Sequence, residues 1–417
     1  MWSWIADLIK LVTFRDAVSA IAAFAALLKI YFDHRALKET RADRAAAHKA
    51  RDEAYSVRDE AVSNRKSAMV ELAHQEAESR IRQEALDAAY RELERVRDGV
   101  EREKSKLEQL LTTLRESETG IWATFPRDPP FVNFDARMGE RKPLVLTVAN
   151  NKGGVGKTTL VGNLIAHFDT GRRLKVLAID LDYQGSLSTM LRSEQGNAKD
   201  RKSAVNGLLE RGAGIGTVYE ATRKLGSRLS RSELAPAFYE LALFEDRLLV
   251  EWLLQAGGDD VRYRLANVLH NTAIAEKFDI VVIDVPPRLT TGTINALCAS
   301  THVLIPTIFN PIAAEPVSNF LAASTLLMNK LNPTLNFIGV VETMVPRKGE
   351  GEKARSEGRR LIQEALDLSF PTIPILASNV PRRAAMSEGG IAYLENREAR
   401  TIFDVLGREL GKRMGLK

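Results

Sequence analysis

The chain has 417 residues, a single cysteine, and 59 Lys and Arg against 54 Asp and Glu, a net charge of +5. That length allows two or three folding units. The lone cysteine excludes a disulfide framework within the chain and suits a reducing compartment, and the small positive excess does not by itself mark a nucleic-acid binder. Residues 1–139 carry 23 basic and 24 acidic side chains, so the excess lies beyond them.

The first 32 residues are apolar and aromatic. Trp2, Ile5, Leu8, Ile9 and Val12 fall at helical spacing, and Ala17 to Phe32 comes after them with Lys29 as its only charge. A spanning helix needs about 17–25 apolar residues, so residues 1–32 read as a membrane-anchor region contacting a lipid bilayer, with Lys29 snorkelling. An interfacial helix and a hairpin buried in a protein partner are the alternatives. Arg35, Lys38, Arg41 and Arg44 come next, which places the rest of the chain on the cytoplasmic side.

Residues 33–118 contain no proline and one glycine, Gly99, so nothing strong interrupts a helix. From Leu86 the apolar positions repeat every seven residues: Leu86, Leu93, Val100, Leu107 and Leu114, with Ala89, Val96 and Leu110 forming most of a second set that Glu103 interrupts. A sustained heptad keeps one narrow stripe facing a partner helix, which predicts a coiled coil. Ala47, Ala54, Ala61 and Ala68 keep the spacing in another frame, and because alanine buries so little this half reads as a weaker part of the coil, with a single solvated helix as the alternative. Unbroken from Asp33 to Glu116, the helix would extend about 125 Å. Residues 119–141, with the run Pro126 to Pro130, read as a linker that ends it.

Residues 142–417 open differently. Leu144 to Ala149 is a short apolar, β-branched run fitting a buried parallel strand, and Leu160 to Phe168 fits a helix. Between them lies Asn150-Asn-Lys-Gly-Gly-Val-Gly-Lys-Thr-Thr159. Gly153, Gly154, Val155 and Gly156 form a loop whose N–H groups can turn inward onto phosphate oxygens at a helix N-terminus. Lys157 would neutralise the β- and γ-phosphates. Thr158 offers a hydroxyl to Mg²⁺, and Thr159 can reach the α-phosphate.

The loop carries a second lysine, Lys152, and with it resembles the deviant Walker A loop of the ParA/MinD family of P-loop ATPases. Val176 to Gly185, with Asp180, Asp182 and Gln184, is similar to the family's second strand and switch I, D-x-D-P-Q-G, with Tyr183 where proline is common. Phe278 to Pro287, with Asp284, Pro286 and Pro287, is similar to its Walker B strand and switch II. Val303 to Pro306, Phe337 to Met344 and Val380-Pro381-Arg382 resemble later strand ends, whereas 192 to 275 is less recognisable. The resemblance implies a mostly parallel α/β sheet flanked by helices, ATP and Mg²⁺ as ligands, and slow, partner-stimulated hydrolysis. It gives Asp182 the attacking water, Asp284 the metal shell, Asp180 support of the switch and metal network, and Met344 and Pro381 contact with the base. Lys152 it sends across a face-to-face dimer to the other subunit's phosphates. One cysteine cannot supply the paired cluster ligands of the nitrogenase-iron-protein branch, and the C-terminus lacks the tyrosine-rich tail of bacterial tyrosine kinases. Cys298 reads as a small buried hydrophobe.

Together these readings predict a homodimer, joined through heads and coil and anchored at the cytoplasmic face of a bacterial inner membrane, whose ATP-closed form recruits or controls a protein partner. A partition ATPase binding DNA nonspecifically through Arg347-Lys348, Lys353, Arg355, Arg359-Arg360 and Arg382-Arg383 is one alternative, and a structural coiled-coil adaptor with weak ATPase activity is another.

Overall fold

A computed structural model describes residues 24–30, 32–33, 49, 68–116, 120–124, 128–192, 202–254, 258–347, 349–385 and 390–416. The chain divides into two units, Met1–Glu103 and Lys104–Lys417. Among the described residues no helix is long and apolar enough to cross a membrane. The run expected to do so, Ala17 to Phe32, lies partly outside them, as do residues 1–16 and most of the alanine heptads. The leucine heptads fall on a single helix, α1 (Ala68–Glu116), whose 49 residues span about 73 Å. Leu86, Leu93, Val96 and Val100 are all more than half exposed along it.

In the second unit an eight-stranded sheet runs in the order β3-β4-β2-β5-β1-β6-β7-β8. Its strands are β1 (Leu144–Val148), β2 (Val176–Asp180), β3 (Arg223–Lys224), β4 (Ser232–Ala235), β5 (Ile280–Asp284), β6 (His302–Thr307), β7 (Asn336–Val345) and β8 (Ile375–Pro381). All pairs are parallel except β3 with β4, which bears out the expected class. The strands read as continuous apolar runs because both faces are covered. Val145, Leu177, Ile179, Val281 and Ile283 point to one side, and Leu146, Val148, Val176, Ala178, Ile280 and Val282 to the other. The helices used below are α2 (Phe134–Glu140), α3 (Lys157–Ala166), α4 (Ser186–Arg192), α5 (Glu240–Leu253), α6 (Thr291–Ala299), α7 (Ala314–Leu331), α8 (Glu352–Ser369) and α9 (Arg397–Met414). The core on the first side is packed by α5, α6 and α7, and on the second by α3 and α9. Cys298 is fully buried in α6, as expected of a small hydrophobe.

The stretch expected as a linker corrects that reading. α1 is described as far as Glu116, and the chain is no longer α-helical by Gly120, before Pro126, so the prolines do not terminate it. A 3-10 turn at Gly120–Ala123 then buries Ile121 and Trp122 in the core. Downstream, Phe134 of α2 meets Tyr263 edge to face at 5.5 Å, and Arg137 donates from Nε to the His270 carbonyl at 2.6 Å. These residues are part of the α/β unit.

Candidate active site

The carboxyl ends of β1, β5 and β2 lie side by side, with Val148 opposite Asp284 and Asp284 opposite Asp180. The glycine loop therefore begins beside both aspartates, at the edge where open α/β sheets bind their ligands. Gly154 and Gly156 take φ values of +73° and +79°, which side chains rarely adopt, and this turns the loop back toward the start of α3. Gly153 has no such need; a Cβ there would meet open space. Val155 is buried, and its carbonyl accepts from Thr343 Oγ1 at 2.7 Å, pinning the loop to β7. Asn150 braces the other end, donating from Nδ2 to the Pro306 carbonyl at 2.8 Å and accepting from Lys152 N at 3.0 Å.

Lys157 is buried, and its ammonium donates to the carbonyls of Asn150 at 3.1 Å and Lys152 at 3.0 Å. Burial lowers its pKa, against the opposing charges of Asp284 and Asp182. Thr158 Oγ1 donates to Asp284 Oδ2 at 2.6 Å. The other oxygen, Oδ1, is buried without a partner. Burial, then the neighbouring Asp180, pushes the Asp284 carboxyl well above its ordinary range. A buried orphan oxygen on a carboxylate beside a threonine hydroxyl is the arrangement a cation or its water would satisfy. The donor set fits Mg²⁺, a hard cation that takes oxygen ligands and keeps several waters: Thr158 and Asp284 offer oxygens, and water and phosphate would supply the rest.

Asp180 is used differently. Its Oδ1 accepts from Asp182 N at 3.0 Å, and its Oδ2 accepts from Ser188 N at 2.8 Å and Ser188 Oγ at 2.7 Å. Burial raises its pKa to about 7 even so. These bonds tie Asp180 into the switch I turn. Asp182 lies in the turn, its Oδ1 accepting from Gln184 N and its carbonyl from Gly185 N. Gly185 has φ +65°, and a Cβ on it would lie 2.7 Å from the Ala237 carbonyl.

Met344 has a positive φ of 53°, rare for a non-glycine residue, and its Cε comes within 3.0 Å of where a Cβ on Gly156 would stand. It therefore sits against the phosphate loop, and Pro381 is near, paired in register with Val345. Thr159 is half-buried in the first turn of α3. Lys152 is half-buried, and its reach into a second subunit lies outside a single chain.

Sequence reasoning missed Ser188, Thr343 and Glu245. Glu245, buried in α5, accepts from Gly292 N at 2.6 Å at the N-terminus of α6, the helix that comes after the Asp284 loop. Burial raises its pKa. The motif gave a hint of Ser188, which lies just beyond Gly185, but nothing local in the sequence pairs residues 245 and 292.

Three of the eight basic residues in these clusters pair with carboxylates. Arg355 forks onto the buried Glu342, Arg360 pairs with Glu357 and Glu364, and Arg383 pairs with Glu398. Arg359 lies over the Phe309 ring at 5.6 Å, and Lys348 is outside the described residues.

Fold and site together define a P-loop nucleotide-binding protein with an extra lysine in its loop. Residues 144–337 match the family described as an AAA domain. The chromosome partitioning protein ParA of Myxococcus xanthus is 29% identical over 285 residues, covering 64% of this chain and 88% of the relative. The sporulation initiation inhibitor protein Soj of Bacillus subtilis is 30% identical over 246 residues, covering 58% and 86%. A complex of a Cyanothece McdA variant with ATP superposes with a TM-score of 0.51 at 21% identity, over 64% of this chain and 96% of that one, a likeness of fold. The chain belongs to the ParA/MinD family of P-loop ATPases.

Proposed function

We propose that the chain is an ATP-hydrolysing dimeric switch that controls a partner protein, working with Mg²⁺ at the cytoplasmic face of a membrane. The observation that carries the hydrolytic reading is the orphaned Oδ1 of Asp284 beside the Thr158 hydroxyl. Bound there, Mg²⁺ would neutralise charge on the β- and γ-phosphates. The chain's own groups do the rest. The 153–156 loop and the N-terminus of α3 bind phosphate through backbone N–H groups. Lys157 exchanges its two carbonyl acceptors for phosphate oxygens, Asp182 orients the attacking water, and Lys152 of each head completes the other head's site.

The exposed leucine stripe of α1 supports a second copy as the coil partner. It repeats every seven residues, and Glu92 and Arg97 fall at positions that face each other across a parallel pair. Two heads joined this way stay at high local concentration whatever the protein level, so ATP changes how they meet and not whether the chains meet. The DNA-binding alternative is weaker, because three of its six arginines, Arg355, Arg360 and Arg383, already pair with neighbouring carboxylates.

Asp284→Asn tests the hydrolytic reading. The variant should lose Mg²⁺-dependent hydrolysis. In the nucleotide-free protein at pH 8 its thermal midpoint should rise by about 2–6 °C, as about 1–2 kcal/mol of buried-charge cost is removed. The raised pKa fixes the sign. Well below the ordinary aspartate pKa of about 4 the carboxyl is neutral in both folded and unfolded chains and the substitution has little effect; its benefit grows as pH rises from there toward the raised folded pKa, where the unfolded chain is ionised and the folded wild type is not, and levels off above it. Full hydrolysis in the variant would reject the assignment.

A further inference from the structure

Two loops that carry the proposed chemistry touch each other. The guanidinium of Arg288, just after Pro287, lies 5.8 Å from the centre of the Tyr183 ring, within reach of a cation–π contact. Tyr183 comes directly after Asp182 and packs, half-buried, against the core that α5 and α6 share. Arg288 is exposed, but its backbone is fixed, since its carbonyl accepts from Thr293 Oγ1 at 2.8 Å on α6. Its charge also acts on the buried Glu245. The arginine thus projects from an anchored loop onto the one aromatic side chain in the Asp182–Gly185 turn.

The identity of residue 183 gives this contact its meaning. The family pattern D-x-D-P-Q-G has proline there, and a proline stiffens the turn through its fixed φ. Tyrosine gives up that backbone restraint. We propose that the Tyr183–Arg288 contact replaces it, making both positioning residues that hold Asp182 in place for water attack. The inference rests on the hydrolytic reading above and adds to it a bridge between switch I and switch II.

The test compares steady-state ATP turnover of the full chain with that of Tyr183→Ala, Tyr183→Phe, Tyr183→Pro, Arg288→Gln and the Tyr183→Ala/Arg288→Gln pair. Tyr183→Ala and Arg288→Gln should each lower kcat about two- to fivefold with KM nearly unchanged, and together no further, because they break one contact. Tyr183→Phe keeps the ring and should stay near wild type. Tyr183→Pro should also stay near wild type and make Arg288→Gln silent in its background. Amide exchange in the nucleotide-free protein supplies a readout independent of turnover: residues 183–186 and 288–290 should exchange faster, to a similar degree, in Tyr183→Ala and Arg288→Gln. Losses that multiply in the double variant, a Tyr183→Phe defect as large as Tyr183→Ala, a change in KM alone, or unaltered exchange would each overturn the bridge. A wild-type chain that binds but never hydrolyses ATP would instead reject the underlying reading, and the exchange data would still decide the contact.

Discussion

Asp182→Ala should cut ATP turnover by about 10²- to 10⁴-fold while nucleotide affinity stays within a few-fold of wild type. The separation comes from where the residue sits. In the proposed function Lys157, the 153–156 loop and Thr158 make the phosphate site, and Asp182 belongs to a different loop, closed on itself by the Gln184 and Gly185 N–H groups and tethered through Asp180 to Ser188. Removing its carboxylate leaves the tether to Asp180 in place, since Asp180 accepts from the main chain at 182. Single-turnover hydrolysis and equilibrium binding of a fluorescent ATP analogue measure the two quantities separately. Equal losses in both would show that Asp182 shapes the pocket and does not act in the chemical step.

The largest structural effect is expected at Arg262, far from that chemistry. Its side chain is 1% exposed and its partner Asp260 is 0% exposed. Nε donates to Asp260 Oδ1 at 2.9 Å and Nη2 to Oδ2 at 2.6 Å, while Nη1 reaches the carbonyls of Trp122 and Thr124. The guanidinium lies 4.2 Å from the centre of the Trp252 ring, and Trp252 Nε1 donates to the Ile121 carbonyl at 3.4 Å. This cluster fastens residues 121–124 to the α/β unit. Arg262→Ala should cost about 3–5 kcal/mol, because it strands a buried carboxylate and two carbonyls. Replacing both partners as Arg262→Met/Asp260→Asn should recover at least about half of that loss, since the stranded charge is gone while residue 260 can still accept from the backbone N–H of residue 262. Denaturant midpoints for the two variants decide the matter; a loss below about 1 kcal/mol in Arg262→Ala would show the cluster to be incidental.

These two cases mark where sequence reading succeeds and where it stops. β1, β2, β5 and β6 were legible because strands buried on both faces appear as unbroken apolar runs, and the loop because its residue types and spacing are set by phosphate geometry. The leucine heptads gave α1 for a similar reason: periodicity is local. Residues 202–254 were opaque because β3 has two residues, β4 has four, and short 3-10 turns lie nearby, too little chain for any period to register. The misread linker has another cause. Glycine and proline between 120 and 130 correctly signalled turns, but turns do not reveal whether the apolar residues among them are buried, and Ile121 and Trp122 are. Asp180 is visible in the sequence as a carboxylate at a strand end, but its attachment to Ser188 depends on the fold of the turn.

The central claim is that two heads share their sites, each supplying Lys152 to the other. Complementation measures it directly. Lys152→Ala and Lys157→Ala chains should each be inactive alone. Co-expressed as mixed dimers, they should regain roughly a quarter of wild-type turnover, because in each heterodimer the Lys152→Ala subunit keeps its own Lys157 and receives its partner's Lys152. A mixture no more active than its separate components would contradict the shared site and the switch built on it.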